Sequence, residues 1–397
     1  MTASTFIIDV ALVVVAMPAV LACGYILLLT LLSWRLPAPP RSAREIRFDV
    51  VVPAHDEAAV IERTVASLRA LDWPKDRFRV VVIADNCTDQ TAALARAAGA
   101  TVLERQDTTR RGKGYALEFA FERSRADGFA QALVIVDADS EASPNLLEAM
   151  AYRIERGEEA IQADYGVLNP LAAWRTRLMT IAITAFHVVR SRGRERMGVS
   201  CGMRGNGWCV THELLRRIPY QAYSLAEDLE FGITLGLAGC RIAYVDEAHV
   251  YGEMVSREAA ARKQRERWER GRAELVRTMT LPLLRAWLAR RSAVCLDLAL
   301  DLLVPPLSWV ALNVMLLLVA AAAATWWDPA RIGWLWLAAA CAAALWLHVL
   351  RGWQLSGIGL RGLIDLARVP FFLLWKLRVM LSRRTTQGWV RTEREKT

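Results

Sequence analysis

Several common signatures are missing from this chain of 397 residues. Its seven cysteines show neither metal-ligand spacing nor a disulfide framework, and Cys87, Cys201 and Cys209 fall in the portion expected to stay reduced. No G-x-G-x-x-G follows the first strand-like run, which argues against a nicotinamide or flavin dinucleotide. No Lys or Arg precedes the first apolar segment. Val20-Leu21-Ala22-Cys23 has the form of a lipoprotein cleavage box, but an export signal wants a positive start and a shorter apolar core, so a retained anchor is expected. No internal repeat is evident, and the middle of the chain lacks a long uninterrupted apolar run.

Hydrophobic residues nevertheless make up 54% of the chain while charged ones stay at 23%, near the soluble average, so the apolar residues must be concentrated. Residues 6–34 are interrupted only by Asp9, and two further apolar stretches lie at about 302–327 and 331–350. Each is long enough to cross ~30 Å of hydrocarbon as a helix.

The net charge of +9 does not point to nucleic acid, because the arginines cluster beside the apolar segments: Arg35, Arg41, Arg44 and Arg47, then Arg285, Arg290 and Arg291, then Arg383, Arg384 and Arg391. That is the distribution of cytoplasmic flanks, and such flanks attract anionic lipid headgroups. Length allows two or three domains. The expected division is a transmembrane anchor at 1–36, a cytoplasmic domain at 46–280 and a membrane region at 281–397. The anchor would leave its N-terminus outside the inner membrane. Residues 171–190 are apolar with charges near one end and read as an interfacial amphipathic helix. Residues 362–381, broken by Asp365, Arg368, Lys376 and Arg378, are expected at the cytoplasmic interface, since a span there would put the basic tail outside. Three spans result.

Between the first two spans, strand-like and helical runs alternate. FDVVVPAH is strand-like, residues 57–71 have helical spacing, RVVVIAD is a strand, TDQTAALARAAG a helix with a Gly stop, TVLER a short strand, 113–125 a helix and ALVIVDAD a strand. This β-α-β-α order predicts a mostly parallel sheet with helices on both faces. Ligands of such sheets bind beyond the carboxyl ends of the strands, where Asp85 and the pair Asp137 and Asp139 are expected.

Five groups of residues stand in order: Asp85 in VIADNCTD, Lys113 in RGKGYAL, Asp137 and Asp139 in VIVDADS, Glu227-Asp228 in LAEDLEF, and Gln264, Arg267 and Trp268 in KQRERW. Two carboxylates two apart at a strand end offer hard oxygen to a divalent cation, although such a pair taken alone is equally a solvated turn. Lys113 opens a helix between glycines, where the helix N-terminus favours an anion. Ser224 and Glu227 read as an S-x-x-E capping box, which gives Glu227 a structural explanation. Asp89 reads as a cap for the following helix, and His55 as a turn residue. Gln264, Arg267 and Trp268, at i, i+3 and i+4, share one helix face. An indole there stacks on a sugar ring and a guanidinium pairs a diphosphate; a basic interfacial helix with a Trp anchor has the same pattern.

The ordered set resembles the membrane-bound members of glycosyltransferase family 2, among them the cellulose, hyaluronan and chitin-type synthases. The resemblance implies an α/β fold: a GT-A (Rossmann-like), mostly parallel sheet domain with transmembrane and interfacial helices. It implies inverting transfer from a UDP-sugar with Mg2+ or Mn2+. By the same resemblance Asp139 ligates the metal, Asp137 contacts it and the nucleotide, and Asp85 accepts a hydrogen bond from uracil. Ala54 and Glu57 line the uridine pocket, Lys113 meets phosphate, and Asp228 is the general base. Gln264, Arg267 and Trp268 hold diphosphate and sugar, and Arg204-Gly205-Asn206-Gly207 borders the acceptor pocket. Three positions depart from the family pattern: Ala84 precedes Asp85 where Asp-Asp is frequent, Asp56 stands where Asn is usual, and Ala226 replaces a Thr.

The implied partners are a UDP-sugar donor, a glycan or lipid-linked acceptor and membrane lipids, with no nucleic acid. Three spans make a thin wall for a polymer channel, so secretion or polymerisation proteins are expected to supply the rest, as in exopolysaccharide or cell-envelope glycan synthesis. The alternative is a single-addition enzyme acting on a sphingolipid, hopanoid or diacylglycerol. A non-catalytic scaffold subunit is less expected, because metal aspartates, base and Trp are all retained. A transporter is less expected still, without paired broken helices.

Overall fold

The computed structural model describes residues 3–254 and 258–369. By contacts these form two units: 3–34, 171–193 and 300–369 in one, and 35–170 with 194–299 in the other. The chain opens with helix α1 (Ala3–Leu31) and then enters the sheet-containing unit.

Its strands are β1 (Phe48–Ala54), β2 (Phe78–Asp85), β3 (Thr101–Arg105), β4 (Ala132–Ile135), β5 (Ser140–Ala142), β6 (Ala160–Val167), β7 (Trp208–Thr211) and β8 (Ala243–Gly252), in the sheet order β3-β2-β1-β4-β7-β6-β8-β5. The β3-β2-β1-β4 half is parallel, with Phe48 beside Phe78 on one side and Ala132 on the other. β7 is antiparallel to β4 and β6, and β5 to β8, while β6 and β8 run parallel. The mostly parallel sheet is therefore as read from the alternating pattern. ALVIVDAD is strand only to Ile135; Val136 gives one more N–H to Val51 and the chain then leaves the ladder, so Asp137 and Asp139 stand on the connection beyond it.

Helices cover both faces, which is why β1 reads FDVVV rather than alternating. Val50 and Val52 join α2 (Ile61–Arg69), α3 (Thr91–Ala97) and α5 (Leu146–Glu155) in one core through Val65, Leu68, Ala95 and Met150. Val51 points the other way, with Ile83, to α4 (Lys113–Asp127), α8 (His212–Arg217) and α9 (Glu227–Leu237) through Leu117, Phe121, Leu214 and Phe231. α10 (Glu258–Arg290) follows β8, and α11 (Ala293–Leu303) follows it.

In the other unit α6 (Trp174–Thr184) and α7 (Arg190–Arg196) flank a π-helical turn, Ala185–Val189. The remaining helices are α12 (Leu307–Trp327), α13 (Ile332–Ser356) and α14 (Leu360–Leu366). Among the described residues three helical segments, Phe6–Leu31, Leu307–Trp327 and Pro329–Ser356, are long and apolar enough to cross a membrane. The second starts at Leu307 instead of 302, because Pro305 and Pro306 separate it from α11 and proline has neither the N–H nor the room to continue a helix. Asp9, the interruption in the first apolar run, pairs with Arg331 at 2.8 Å. Further along, Thr30 Oγ1 meets His348 Nδ1 at 2.7 Å and Arg351 donates to Ser33. α1 and α13 therefore run parallel. Of the helix read at 362–381, only the first residues are described: Asp365 is buried and paired to Arg177 and Arg368, and residues from 370 on lie outside the described residues.

A buried amide shapes the crossover between the sheet halves. Gln162 on β6 is fully buried; its Oε1 accepts from Arg204 N (2.8 Å) and its Nε2 donates to the Asn206 (2.7 Å) and Ala163 (2.8 Å) carbonyls. Gln162→Leu strands these groups in the interior, which costs about 1–3 kcal/mol per unsatisfied group. Thermal unfolding of the purified chain in detergent should show a lowered Tm, with Gln162→Glu no substitute because a carboxylate cannot donate.

Candidate active site

Two clusters form at the carboxyl ends of the strands. The first joins the ends of β1, β2 and β3. Ala54 is buried at the end of β1, and the ring of His55 reaches the Asp85 carbonyl at 2.7 Å, tying the two strand ends together. Asp56 adopts φ +55°, and its carboxylate accepts from Thr88 N (2.6 Å), Thr88 Oγ1 and Asp89 N (3.2 Å). Burial pushes this carboxyl up, but the hydrogen bonds from Thr88 and Asp89 outweigh it and hold Asp56 below its ordinary range. The Asp standing where Asn is usual thus anchors the turn. Glu57 gives its N–H to Thr91 Oγ1 (2.8 Å) and its carbonyl to the first turn of α2. Asp89 accepts from Thr91 N and from Ala58 N, so it does tie the start of α3, and it also joins the two loops. Among the described residues Asp56, Cys87 and Asp89 bring three ligand-type atoms within 4.8 Å of one another, but backbone N–H groups already take both carboxylates.

Asp85, at the end of β2, is buried and paired with Arg105 Nη1 at 2.7 Å, and it accepts from Asn86 Nδ2 at 3.0 Å. The parallel register of β2 and β3 sets Asp85 directly beside Arg105. The other guanidinium nitrogen, Nη2, holds Asp107 (3.0 Å) and the Arg110 carbonyl (2.7 Å), which fixes the loop leading to Lys113.

The second cluster is acidic and centres on Lys113. Gly112 takes φ +126°, a conformation closed to L side chains, and brings the first residue of α4 inward. Lys113 Nζ lies 2.6 Å from Asp137 Oδ1, donates to the Gly205 carbonyl at 2.7 Å and stands 3.6 Å from Glu227 Oε1. Burial works against the ammonium, but Asp137 and Glu227 overcome it and raise Lys113 above its ordinary value, so it stays charged. Asp137 also gives its N–H to Asn206 Oδ1 (3.0 Å), and Asn206 Nδ2 donates to Ser140 Oγ (2.8 Å). Asp139 Oδ1 accepts from Ser140 Oγ at 3.2 Å. Beside both aspartates lies Tyr165 of β6, whose phenol burial and their charges push well above its usual range.

α9 supplies the remaining acids. The expected capping box is absent: Ala226 is the N-cap and has no side chain to offer, Ser224 Oγ accepts from Ala226 N, and it is Glu230 that reaches back to Ser224 N at 2.9 Å. Glu227, freed from that role, faces Lys113. Burial raises Glu227 and Asp228 above the ordinary carboxylate range; Lys113 partly offsets this, and Asp137 adds to it. A Cβ on Gly205 would lie 3.5 Å from Asp228 Oδ2, so the loop of residues 204–207 runs directly beside that carboxylate. Gln264, Arg267 and Trp268 lie on α10, whose Gly271 rests on Ala226: a Cβ there would meet Ala226 N at 3.1 Å. This places Arg267 and Trp268 one turn from the start of α9. Trp268 is 38% exposed, and among the described residues the buried Nε of Arg267 has no acceptor.

The structure thus brings Lys113, Asp137, Glu227 and Gly205 into contact, with Asp228 at Gly205. Ala54, Glu57 and Asp85 belong to the neighbouring cluster. Arg105, Tyr165 and Gln162 were not singled out from the sequence, and Asn206 entered only as part of the loop of residues 204–207. Only Arg105, closing the run TVLER, carried a signal, and its partner became visible only with the register.

Comparison with known proteins agrees with this architecture. A family model described as "Glycosyltransferase like family 2" matches residues 46–271, more than half of the chain. The probable glycosyltransferase YdaM of Bacillus subtilis is 23% identical over 239 residues, 58% of this chain and 56% of that protein. Probable glucomannan 4-beta-mannosyltransferase 15 of Arabidopsis thaliana is 24% identical over 59% of this chain and 46% of its own length. The chain thus spans about half the length of these curated relatives. A mannosyltransferase of Pyrobaculum calidifontis, solved in complex with GDP-Man and Mn2+, shares the fold with a TM-score of 0.50 and 20% identity over 84% of this chain and 97% of that one. Sheet, strand-end clusters and family match together make this chain a member of glycosyltransferase family 2.

Proposed function

We propose that the chain is a membrane-bound, inverting glycosyltransferase that moves a sugar from a UDP-sugar to a growing polysaccharide or lipid-linked acceptor at the cytoplasmic face of the inner membrane. The observation that carries this reading is the convergence of Lys113, Asp137, Glu227 and Asp228 between the end of β4 and the start of α9. Transfer requires that a diphosphate be held, that its charge be offset as it leaves, and that an acceptor hydroxyl lose a proton. Lys113 and Arg267 are the cations suited to the diphosphate. The Asp137 and Asp139 carboxylates are hard oxygen donors on one short connection and fit Mg2+ or Mn2+, which when bound supplies charge neutralisation at the phosphates. Asp228, raised by burial yet kept beside the Lys113 charge, is suited to take the proton from the acceptor. Trp268 stands one turn along α10 from Gly271, which packs on Ala226 at the start of α9, and Gln264 one turn further on, where an indole can face a sugar ring.

Asp85 with Arg105 offers an acceptor beside a donor, a pair that suits the N–H and carbonyl edge of uracil. Guanine presents both kinds of group as well, and the mannosyltransferases among the relatives make GDP-mannose the competing donor to test. The apolar helices, with Arg35, Arg41, Arg44 and Arg47 after the first, favour a cytoplasmic catalytic domain. A single addition to a lipid acceptor remains the second reading, because the three candidate spans among the described residues would form a thin channel wall.

Nucleoside diphosphate release by the purified chain, with UDP- and GDP-sugars and Mg2+ or Mn2+, tests the reading. One donor should give release, and Asp228→Asn should lower it about 10²–10⁴-fold. Equal turnover by Asp228→Asn would remove that residue from the chemistry. Trp268→Ala should raise the acceptor KM more than it lowers kcat.

The pH profile gives a separate test. Asp228 acts deprotonated and its folded pKa is raised, so activity should fall on acidification from a higher pH than an ordinary aspartate allows. Lys113 lowers that pKa, so Lys113→Met should move the acid limb upward. An acid limb that stays in place in Lys113→Met would contradict the electrostatic coupling.

A further inference from the structure

We infer that Tyr223 is a positioning residue for Asp228, clasping the segment that leads into α9 to the first turns of α4 together with Arg110, Tyr115 and Glu118. The inference rests on the reading of Asp228 as base given above.

α9 needs such a restraint. Its N-cap, Ala226, makes no side-chain hydrogen bond, and the local ties, Glu230 to Ser224 N and Ser224 Oγ to Ala226 N, stay within the segment and do not set its position against α4. The restraint comes from α4. The chain passes so close to it that a Cβ on Gly114 would meet the Ala222 carbonyl at 2.2 Å. The Tyr223 ring stacks on Tyr115, with centroids 4.4 Å apart and planes inclined by 16°. Its hydroxyl donates to Glu118 Oε1 at 2.5 Å, and Glu118 Oε2 takes Arg110 Nη2 at 2.8 Å. The Arg110 guanidinium lies over the Tyr115 ring, 5.2 Å from its centroid. Burial and the Glu118 carboxylate push Tyr223 up to about 12, so its hydroxyl remains a donor at neutral pH.

The clasp touches both clusters. At its far end the Arg110 carbonyl accepts from Arg105, whose other nitrogen holds Asp85. At its near end α4 begins with Lys113, which faces Glu227. Tyr223 therefore sets the distance between the α4 N-terminus and the α9 N-terminus, across which Lys113 meets Glu227 and Asp228. Tyr223 is 39% exposed, so its contribution is directional and not core packing.

The test compares the full-length chain with Tyr223→Phe and Tyr223→Ala in detergent, by amide hydrogen exchange, steady-state kinetics and thermal unfolding, with Asp228→Asn alongside. Tyr223→Ala should speed exchange at residues 222–230 at least about tenfold while β1 and β2 are unchanged. It should lower kcat about tenfold to a hundredfold, the effect of a small misplacement of a reacting group, with donor KM little altered. Tyr223→Phe keeps the ring stack and loses the bond to Glu118, and should fall between. Unchanged exchange at 222–230 in Tyr223→Ala overturns the clasp. So does faster exchange throughout the domain with Tm, kcat and KM falling together, which is loss of fold. A slow Asp228→Asn beside a normal Tyr223→Ala overturns this inference alone. A wild-type rate in Asp228→Asn overturns the base and this role with it.

Discussion

The site depends on one charge balance. Glu227 and Asp228 lose water where the start of α9 meets Lys113 and Asp137, which alone would drive protons onto these two acids. The Lys113 ammonium, 2.6 Å from Asp137 and 3.6 Å from Glu227, is what lets several carboxylates share so small a space. It is anchored in turn by a backbone carbonyl, that of Gly205. Four pieces of the structure therefore converge on one nitrogen: the α4 N-terminus, the end of β4, the loop of residues 204–207 and the α9 N-terminus. Displacing any one of them leaves a charge unpaired in a partly desolvated place, a costly state.

Backbone geometry makes that convergence possible. Gly112 and Gly205 both hold positive φ, and Gly207, at φ +69°, lies where a Cβ would come within 2.9 Å of Val250. The loop between them has no regular partner, so Gln162 and Asn206 supply its hydrogen bonds from inside. Fully buried polar side chains of this kind are costly unless every group is paired, and when paired they specify one arrangement. The loop beside Asp228 is thus held by amide groups in the interior, not by surface contacts.

The apolar unit relies on polar groups in a different way. Among the described residues of its helices, several charges are paired: Asp9 with Arg331, Asp365 with Arg177 and Arg368, and the buried Arg190 with Asp301. Between hydrocarbon-like surfaces there is little hydrophobic preference for one helix register over another, so small residues and hydrogen bonds choose it. Thr30 against His348 and Gly352 against Ala185 are such choices.

The sequence by itself determined the periodic features, because these depend on neighbours along the chain. TVLER is β3 to the residue, the two-sided apolar runs gave buried parallel strands, and the spacing of Gln264, Arg267 and Trp268 gave a helix with one common face. It also placed Asp85 and the Asp137–Asp139 pair at strand ends. Tertiary structure decided what those residues meet. Ser224 and Glu227 have the spacing of a capping box, yet the box does not form: Glu230 takes the Ser224 N–H and Glu227 faces Lys113, which is distant in sequence. Arg105 became the partner of Asp85 through strand register, and Gly271 set α10 against Ala226 through close packing. Local propensity acts over one turn or one strand, whereas a charge leaving water is satisfied by whatever opposite charge the fold brings nearest, and that distance is not written in the order of the residues.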